Sequence, residues 1–339
     1  MLVIMRDHAS AAEVDHVVDL LHEAGAEAHL SQGEVKTIIG VIGDVELVYN
    51  LDLQGLPGVV EVIRVLKPYK LVSRDFQAED TVVTLPYGVT VGGGALLACG
   101  GPCSIESEDQ MMASARAVKA AGGNALRGGA FKPRSSPYAF QGLGLEGLRL
   151  LRAAGDEVGL PVVTEVLDVR EAAAVAQYAD VLQVGARNMQ NFMMLEELGK
   201  LRKPILLKRG LAATIEELLS AAEYILKGGN RDVILCERGI RTFETYTRNT
   251  LDLAAVAALK TLTHLPVITD PSHATGRREL VEVMCRASLV AGADGFIVEV
   301  HPDPEHARCD GAQSLPPEAF STMMEGMAPV VAMTGKHWG

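Results

Sequence analysis

Residues 95–130 read ALLACGGPCSIESEDQMMASARAVKAAGGNALRGGA. The apolar run Ala95 to Cys99 reads as a strand, Ser107 to Ala121 carries apolar residues at helical spacing, and a second apolar run begins at Ala125. Between strand and helix there is no G-x-G-x-x-G. The glycines Gly92, Gly93 and Gly94 precede the strand, where they cannot set a phosphate at the helix N-terminus. This argues against an open doubly wound sheet and for a closed barrel. The same alternation continues outward from this unit, with short strands near 95–99, 125–130, 161–166, 181–185, 204–208, 232–236, 266–269 and 295–300. Amphipathic helical stretches separate them, among them Ser107 to Ala121, Leu145 to Val158, Ile215 to Leu226, Leu251 to Leu262 and Leu280 to Val290. Eight such units in residues 95–339 match the size of a (β/α)8 TIM barrel, an α/β fold.

Upstream the pattern changes. Leu2 to Met5 reads as a strand, and Val14, Val17, Val18, Leu20 and Leu21 read as one face of a helix with Ser10 as N-cap. Strands are expected at Ala26 to Leu30 and Val35 to Ile42, a helix near Leu56 to Leu66 and a last strand near Lys70 to Ser73. This β-α-β-β-α-β order predicts a small ferredoxin-like α+β domain over residues 1–74. Residues 75–94 are expected to form a linker hairpin, with Thr81 to Leu85 alternating like a strand and Pro86-Tyr87-Gly88 turning.

The 339 residues are 48% hydrophobic and 22% charged, which excludes disorder along the whole length. Lys plus Arg number 31 and Asp plus Glu 43, a net charge of -12 that disfavours general binding to nucleic acid or anionic membrane. No apolar run reaches the roughly 18 residues of a membrane span, and a cytoplasmic protein is expected. The five cysteines, Cys99, Cys103, Cys236, Cys285 and Cys309, are odd in number and widely spaced, unlike a disulfide framework. A special cysteine here is therefore expected to be catalytic or metal-binding.

In such a barrel chemistry gathers at the C-terminal ends of the strands. Two groups of residues fall there. Cys103, His273, Glu299 and Asp310 supply a thiol, an imidazole and two carboxylates from strands one, seven and eight, which become neighbours when the barrel closes, so they can surround one divalent metal ion. Such a mixed donor set admits Mn, Fe, Co, Cu or Zn. Taken singly, each has a bland reading: a buried cysteine is usually a small core residue and a loop aspartate usually a turn residue. The second group, Arg127, Lys132, Arg134, Arg187, Lys208 and Arg238, aims six cations at one mouth of an acidic protein, which suits a ligand carrying several phosphate or carboxylate groups. One or two are expected to form rim ion pairs with Glu106, Glu165, Glu237 or Glu299, with Glu237 beside Arg238 the obvious candidate.

These residues lie in blocks that resemble the 3-deoxy-D-arabino-heptulosonate 7-phosphate (DAHP) synthase family over residues 75–335: GPCSIES at 101–107, LRGGAFKPRSSPY at 126–138, QVGARNMQN at 183–191, CERGIRTF at 236–243, DPSHATG at 270–276 and DGAQSL at 310–315. The preceding segment is similar to the regulatory extension of the type I beta branch. The resemblance implies a transferase that condenses phosphoenolpyruvate with erythrose 4-phosphate, opening the shikimate pathway to aromatic amino acids, and that requires a divalent metal held by Cys103, His273, Glu299 and Asp310. It implies that Arg127, Lys132, Arg187 and Lys208, with Arg238 and the Ala186 amide, surround phosphoenolpyruvate, and that Lys132, Pro133, Arg134 and Ser135 receive erythrose 4-phosphate. In the chemistry so implied Lys132 donates a proton to the developing alkoxide, with Cys103 and His273 beside it at the metal, while the base for the attacking water stays open between Glu165 and a water held by the metal. The resemblance further implies feedback inhibition by Phe or Tyr through the N-terminal domain, a homotetramer, and a separate chorismate mutase as a possible partner. Small departures from the family pattern include Gly100 after Cys99 and Ser135 in place of a frequent Thr. Cys99 and Cys309 add thiols expected near the metal that would make the site oxidation-prone.

Two rivals follow. The related 3-deoxy-D-manno-octulosonate 8-phosphate synthases use a pentose phosphate, but they usually carry K-A-N-R where this chain has Lys132-Pro133-Arg134-Ser135, and they lack the N-terminal domain. A barrel that has lost catalysis and serves as scaffold or aromatic amino acid sensor would have no use for all four donors and six cations together.

Overall fold

The computed structural model describes residues 1–33, 36–42, 48, 51–63, 68–132, 138 and 140–339. They divide into two compact units, Met1–Glu79 and Asp80–Gly339.

In the first unit, β1 (Leu2–Met5), α1 (Ala11–Glu23), β2 (Glu27–Gln32), β3 (Thr37–Ile42) and β4 (Val59–Ile63) form a four-stranded antiparallel sheet of order β2-β3-β1-β4 with α1 packed on it. This is the split arrangement of a ferredoxin-like domain. The start of α1 is set by a capping box, in which Ser10 accepts from the Glu13 backbone and Glu13 reaches back to the Ser10 N–H. One expected element is corrected. The stretch read as a helix near Leu56 to Leu66 holds a strand instead, paired Leu2↔Ile63 and Val3↔Val62. Its residues Val59, Val60, Val62 and Ile63 are β-branched and favour the pleated edge of β1 over a helix. Lys70 to Ser73, expected as the last strand, is a turn closed by the Ser73 N–H donating to the Lys70 carbonyl. Val35 and residues 64–67 lie outside the described residues.

The second unit begins with a hairpin, β5 (Val83–Thr84) and β6 (Thr90–Val91). Eight parallel strands follow, β7 (Ala95–Gly101), β8 (Ala125–Arg127), β9 (Val162–Val166), β10 (Val181–Val184), β11 (Ile205–Lys208), β12 (Val233–Glu237), β13 (Val267–Thr269) and β14 (Gly295–Glu299), each paired with the next, and β14 pairs back onto β7 to close the barrel. Helices α2 (Glu108–Ala120), α3 (Leu145–Val158), α4 (Ala172–Tyr178), α5 (Phe192–Lys200), α6 (Ile215–Lys227), α7 (Leu253–Leu262), the short α8 (Pro271–Thr275) with α9 (Arg278–Val290), and α10 (Pro317–Thr334) follow the strands in turn. A last short strand, β15 (His337–Trp338), runs beside the start of β7.

The strand period of two decides where the site lies. Leu97, Cys99, Ala125, Val163, Val181, Leu206, Ile234, Cys236, Ile268 and Ile297 share one buried cluster with Val83, Leu85, Val89 and Val91 of the hairpin, which closes the floor of the barrel. Two residues beyond the last of these on successive strands come Arg127, Glu165, Gln183, Lys208, Arg238, Asp270 and Glu299. The barrel interior thus changes from apolar to charged within one inward step, at the C-terminal ends of the strands.

Candidate active site and metal centre

Cys103 reaches the mouth through a loop that only glycine permits. Gly101 has φ 144, and a Cβ there would collide with the Arg127 carbonyl oxygen. That close approach lets the Cys103 carbonyl accept from Arg127 NH2 at 3.1 Å and from Lys132 Nζ at 3.0 Å, while Lys132 Nζ also lies 3.1 Å from Cys103 Sγ. His273 sits on α8, whose N-cap Asp270 accepts from the His273 backbone N–H. Glu299 ends β14, and Asp310 occupies a left-handed position, φ 51, that aspartate tolerates better than most residues.

The structure brings all four predicted donors together: one ligand atom from each of Cys103, His273, Glu299 and Asp310 lies within 4.8 Å of the others. Around them stands an orienting shell. Asp270 Oδ2 lies 2.8 Å from His273 Nδ1, a placement that favours a proton on Nδ1 and leaves Nε2, 3.3 Å from Glu299 Oε1, turned to the cluster. Gln313 Nε2 donates to Glu299 Oε2 at 2.9 Å, and the Ser272 hydroxyl accepts from the Glu299 N–H. Burial pushes His273 below the usual imidazole range, toward the neutral form that ligates metals. Burial alone would raise Asp310, but His273, Arg248 and Lys132 outweigh it and keep the group ionised. A soft thiolate, an imidazole and two carboxylates, buried or half-buried, oriented and converging on one point, fit a divalent transition metal.

Beside this cluster opens a cavity of about 330 Å3 lined by Arg127, Lys132, Glu165, Gln183, Ala186, Arg187, Lys208 and Arg238, among others. Five of the six predicted cations therefore face one space, and Pro133, Arg134 and Ser135 lie outside the described residues. Two are ion-paired there, Arg127 with Glu299 at 3.2 Å and Lys208 with Asp270. Among the described residues Arg187 and Arg238 make no ion pair. Burial alone would lower the Lys132 ammonium; the neighbouring sulfurs of Cys103 and Cys309 outweigh it and favour the charged form. Glu237 does not pair with Arg238: it faces the outer side of β12, where it takes Arg209 at 2.9 Å and the Gly239 N–H. Glu165 lines the cavity, its Oε2 accepting from Gln183 at 3.3 Å. Cys99 is not at the metal cluster. It lies in the floor, where burial pushes its thiol up to about 12, whereas Cys309 touches Cys103.

Sequence reasoning missed Arg241, Arg248 and Gln313. The two arginines line the cavity from the loop after β12, and Arg248 donates to Gln313 Oε1 at 3.0 Å and lies 3.6 Å from Asp310. Their signal was present in RGIRTFETYTRN, residues 238–249, but they stand too far past the strand end for a rule based on strand ends to select them. Asp270 enters the sequence reading only within the block DPSHATG, with no role of its own.

Residues 76–332 match the model of the DAHP synthetase I family. The chain belongs to that family. Residues 1–67 match the DAHP synthase ferredoxin-like domain. Over 335 residues, 99% of both chains, it is 48% identical to phospho-2-dehydro-3-deoxyheptonate aldolase of Thermotoga maritima. The crystal structure of that family member superposes with a TM-score of 0.80 at 47% identity, covering 100% of this chain and 99% of the other. More distant is a 2-dehydro-3-deoxyphosphooctonate aldolase of Syntrophotalea carbinolica, 33% identical over 72% of this chain and 94% of its own. As a family member the protein is an enzyme, and no helix among its described residues is long and apolar enough to cross a membrane.

Proposed function

We propose that this enzyme condenses phosphoenolpyruvate with erythrose 4-phosphate to give DAHP and inorganic phosphate. The observation that carries the reading is the single cavity on which four metal donors and a ring of cations converge, in a chain alike over its whole length to a heptonate aldolase. The octonate relative of Syntrophotalea carbinolica matches 72% of this chain against 99% for the heptonate aldolase, which favours the four-carbon acceptor over a pentose phosphate.

In the reaction, C3 of the enol attacks the aldehyde carbon. Negative charge gathers on the aldehyde oxygen and positive character on C2. Lys132, fixed by the Cys103 carbonyl beside the donor cluster, gives a proton to the new alkoxide. Cys103, His273, Glu299 and Asp310 would hold the divalent ion, which when bound supplies Lewis acidity at the aldehyde oxygen. In this reading Arg127 would take the carboxylate of the enol substrate, and Arg187, Lys208 and Arg238, with the Ala186 amide, its phosphate; all line the one cavity. Water adds to C2, the bond from C2 to the bridging oxygen breaks, and phosphate leaves with that oxygen. The same cations neutralise it as it departs. Glu165, which lines the cavity, or a water held at the donor cluster would take the attacking water's proton. Arg134 and Ser135 would receive the phosphate of the aldose.

Incubated with both substrates and Mn, the protein should release one phosphate per phosphoenolpyruvate consumed, fall silent with EDTA and recover when metal returns. Silence in folded, metal-loaded protein would favour a scaffold or sensor. We further propose that residues 1–67, which match the DAHP synthase ferredoxin-like domain, mediate inhibition by Phe or Tyr, and that the enzyme is a cytoplasmic homotetramer. Turnover flat across added Phe and Tyr would end the feedback reading.

A further inference from the structure

Arg209 and Glu237 form a buried ion pair that the reaction above does not use. Each is the chain neighbour of a cavity cation. Strand alternation turns Lys208 and Arg238 into the cavity and sends Arg209 and Glu237 to the outer side of the barrel wall. There Arg209 Nη1 donates to Glu237 Oε2 at 2.9 Å and to Asp252 Oδ2 at 3.0 Å, and its Nε donates to the Ala213 carbonyl. The second oxygen of Glu237 reaches back toward the site. Its Oε1 accepts from the Gly239 N–H at 2.6 Å and from the Asp252 N–H at 3.4 Å, so one atom holds both ends of the loop between β12 and α7. Gly239 lies at φ 90, a conformation open to glycine, and a Cβ there would stand 2.7 Å from Asn249 Cβ. The Gly239 carbonyl in turn accepts from Arg238 Nη1 at 3.4 Å, and the His273 carbonyl accepts from Arg238 Nη2 at 3.3 Å. Two carbonyls thus aim the Arg238 guanidinium into the cavity.

We propose that Glu237 is a positioning residue for the substrate phosphate: through the Gly239 backbone it keeps Arg238 aimed into the cavity, while Arg209 keeps Glu237 in place. The proposal deepens the function given above and rests on Arg238 receiving the phosphate of the enol substrate. A buried ion pair adds little stability over apolar side chains of like size, so geometry is what this pair is suited to supply. Without the Glu237 oxygen the Gly239 N–H is left unpaired, the glycine is free to leave its left-handed conformation, and Arg238 loses one of its two guides. Arg238 meets phosphate both in the bound substrate and as phosphate departs, so the KM for phosphoenolpyruvate and the affinity for inorganic phosphate should move together.

The test titrates the full-length, Mn-loaded protein with phosphoenolpyruvate and, separately, with inorganic phosphate, by calorimetry and without the aldose. Glu237→Ala should weaken both by roughly 10- to 100-fold, the range for a lost charge-assisted contact, and should raise the KM for phosphoenolpyruvate in step. A second variant separates this from simple unfolding. Arg209→Met combined with Glu237→Leu replaces the pair by apolar side chains of similar size, which should hold the urea midpoint near the natural one while anion affinity falls as in Glu237→Ala. Removing Glu237 in an Arg238→Ala background should cost little further affinity, because the two act through one contact. The proposal is overturned if the folded double variant binds phosphate as tightly as the natural protein, or if the losses from Glu237→Ala and Arg238→Ala add in full. Anion binding needs no turnover, so the two readings part here. Weakened binding in an enzyme that never releases phosphate would overturn the reaction and support the positioning role, whereas natural affinity in both variants would overturn the positioning role and leave the reaction standing.

Discussion

Glu299 has two oxygens and three neighbours that use them: Arg127 and His273 at Oε1, and Gln313 at Oε2. A buried carboxylate held this tightly has little rotational freedom, so its lone pairs stay aimed at the donor cluster. Replacing Gln313 with Ala leaves one oxygen of the charge without its donor. Metal affinity should fall about 10- to 100-fold, read by Co(II) titration, with the fold retained; unchanged affinity would show that Gln313 does not orient the ligand. Asp270 adds a pH signature. Burial alone would raise its carboxyl, but His273 and Lys208 outweigh this and hold it well below the ordinary range. A depressed carboxylate contributes stability above its unfolded pKa, near 3.9, and loses it as pH falls toward the folded value. Asp270→Asn should therefore be less stable than the natural protein at pH 6, and that gap should shrink in denaturant melts as the pH is taken below about 4. A gap independent of pH would contradict the assignment.

Elements succeed or fail here by how their ends are built. The Gly101 turn carries Cys103 past β8, and Gly101→Ala should cost at least about 1–3 kcal/mol from backbone strain together with loss of metal binding, measured by urea unfolding and Co(II) uptake. At the other end of the barrel, Leu85 of the floor hairpin is 3% exposed. Leu85→Ala should destabilise by about 2–5 kcal/mol yet leave kcat near its original value, because the floor is separated from the site by the strands themselves. Element type was legible wherever length resolved it: strands closed by Gly-rich or charged ends, alternating with helices of ten residues or more, permit one reading. The stretch 56–66 was not, because Leu56, Val59, Val60 and Ile63 satisfy helical spacing and a half-buried strand equally well, and pairing with β1 decides between them. The site divides the same way. Arg127, Lys208, Arg238 and Glu299 were readable because an inward position two residues past a floor residue must face the mouth. Arg241 and Arg248 lie on a loop whose path no periodicity dictates, and Asp270 is explained only once its neighbours Lys208 and His273 are in place.

At the scale of the whole molecule, a chain of net charge -12 gathers seven of its 31 lysines and arginines on one cavity, which raises the local concentration of small anions without making the surface attractive to polyanions. Turnover limited by capture of the phosphorylated substrates should accordingly weaken as salt rises, seen as a fall in kcat/KM between low and physiological ionic strength. The choice between acceptors belongs to this scale too, since the likeness to the heptonate aldolase extends over 99% of the chain, including residues 1–67 that match the DAHP synthase ferredoxin-like domain. The most direct measurement compares kcat/KM for erythrose 4-phosphate and arabinose 5-phosphate on one metal-loaded preparation, with phosphoenolpyruvate saturating and phosphate release as the readout. Strong preference for erythrose 4-phosphate, abolished by EDTA and restored by metal, is the predicted result. Preference for the pentose phosphate, or release that ignores the chelator, would contradict the account.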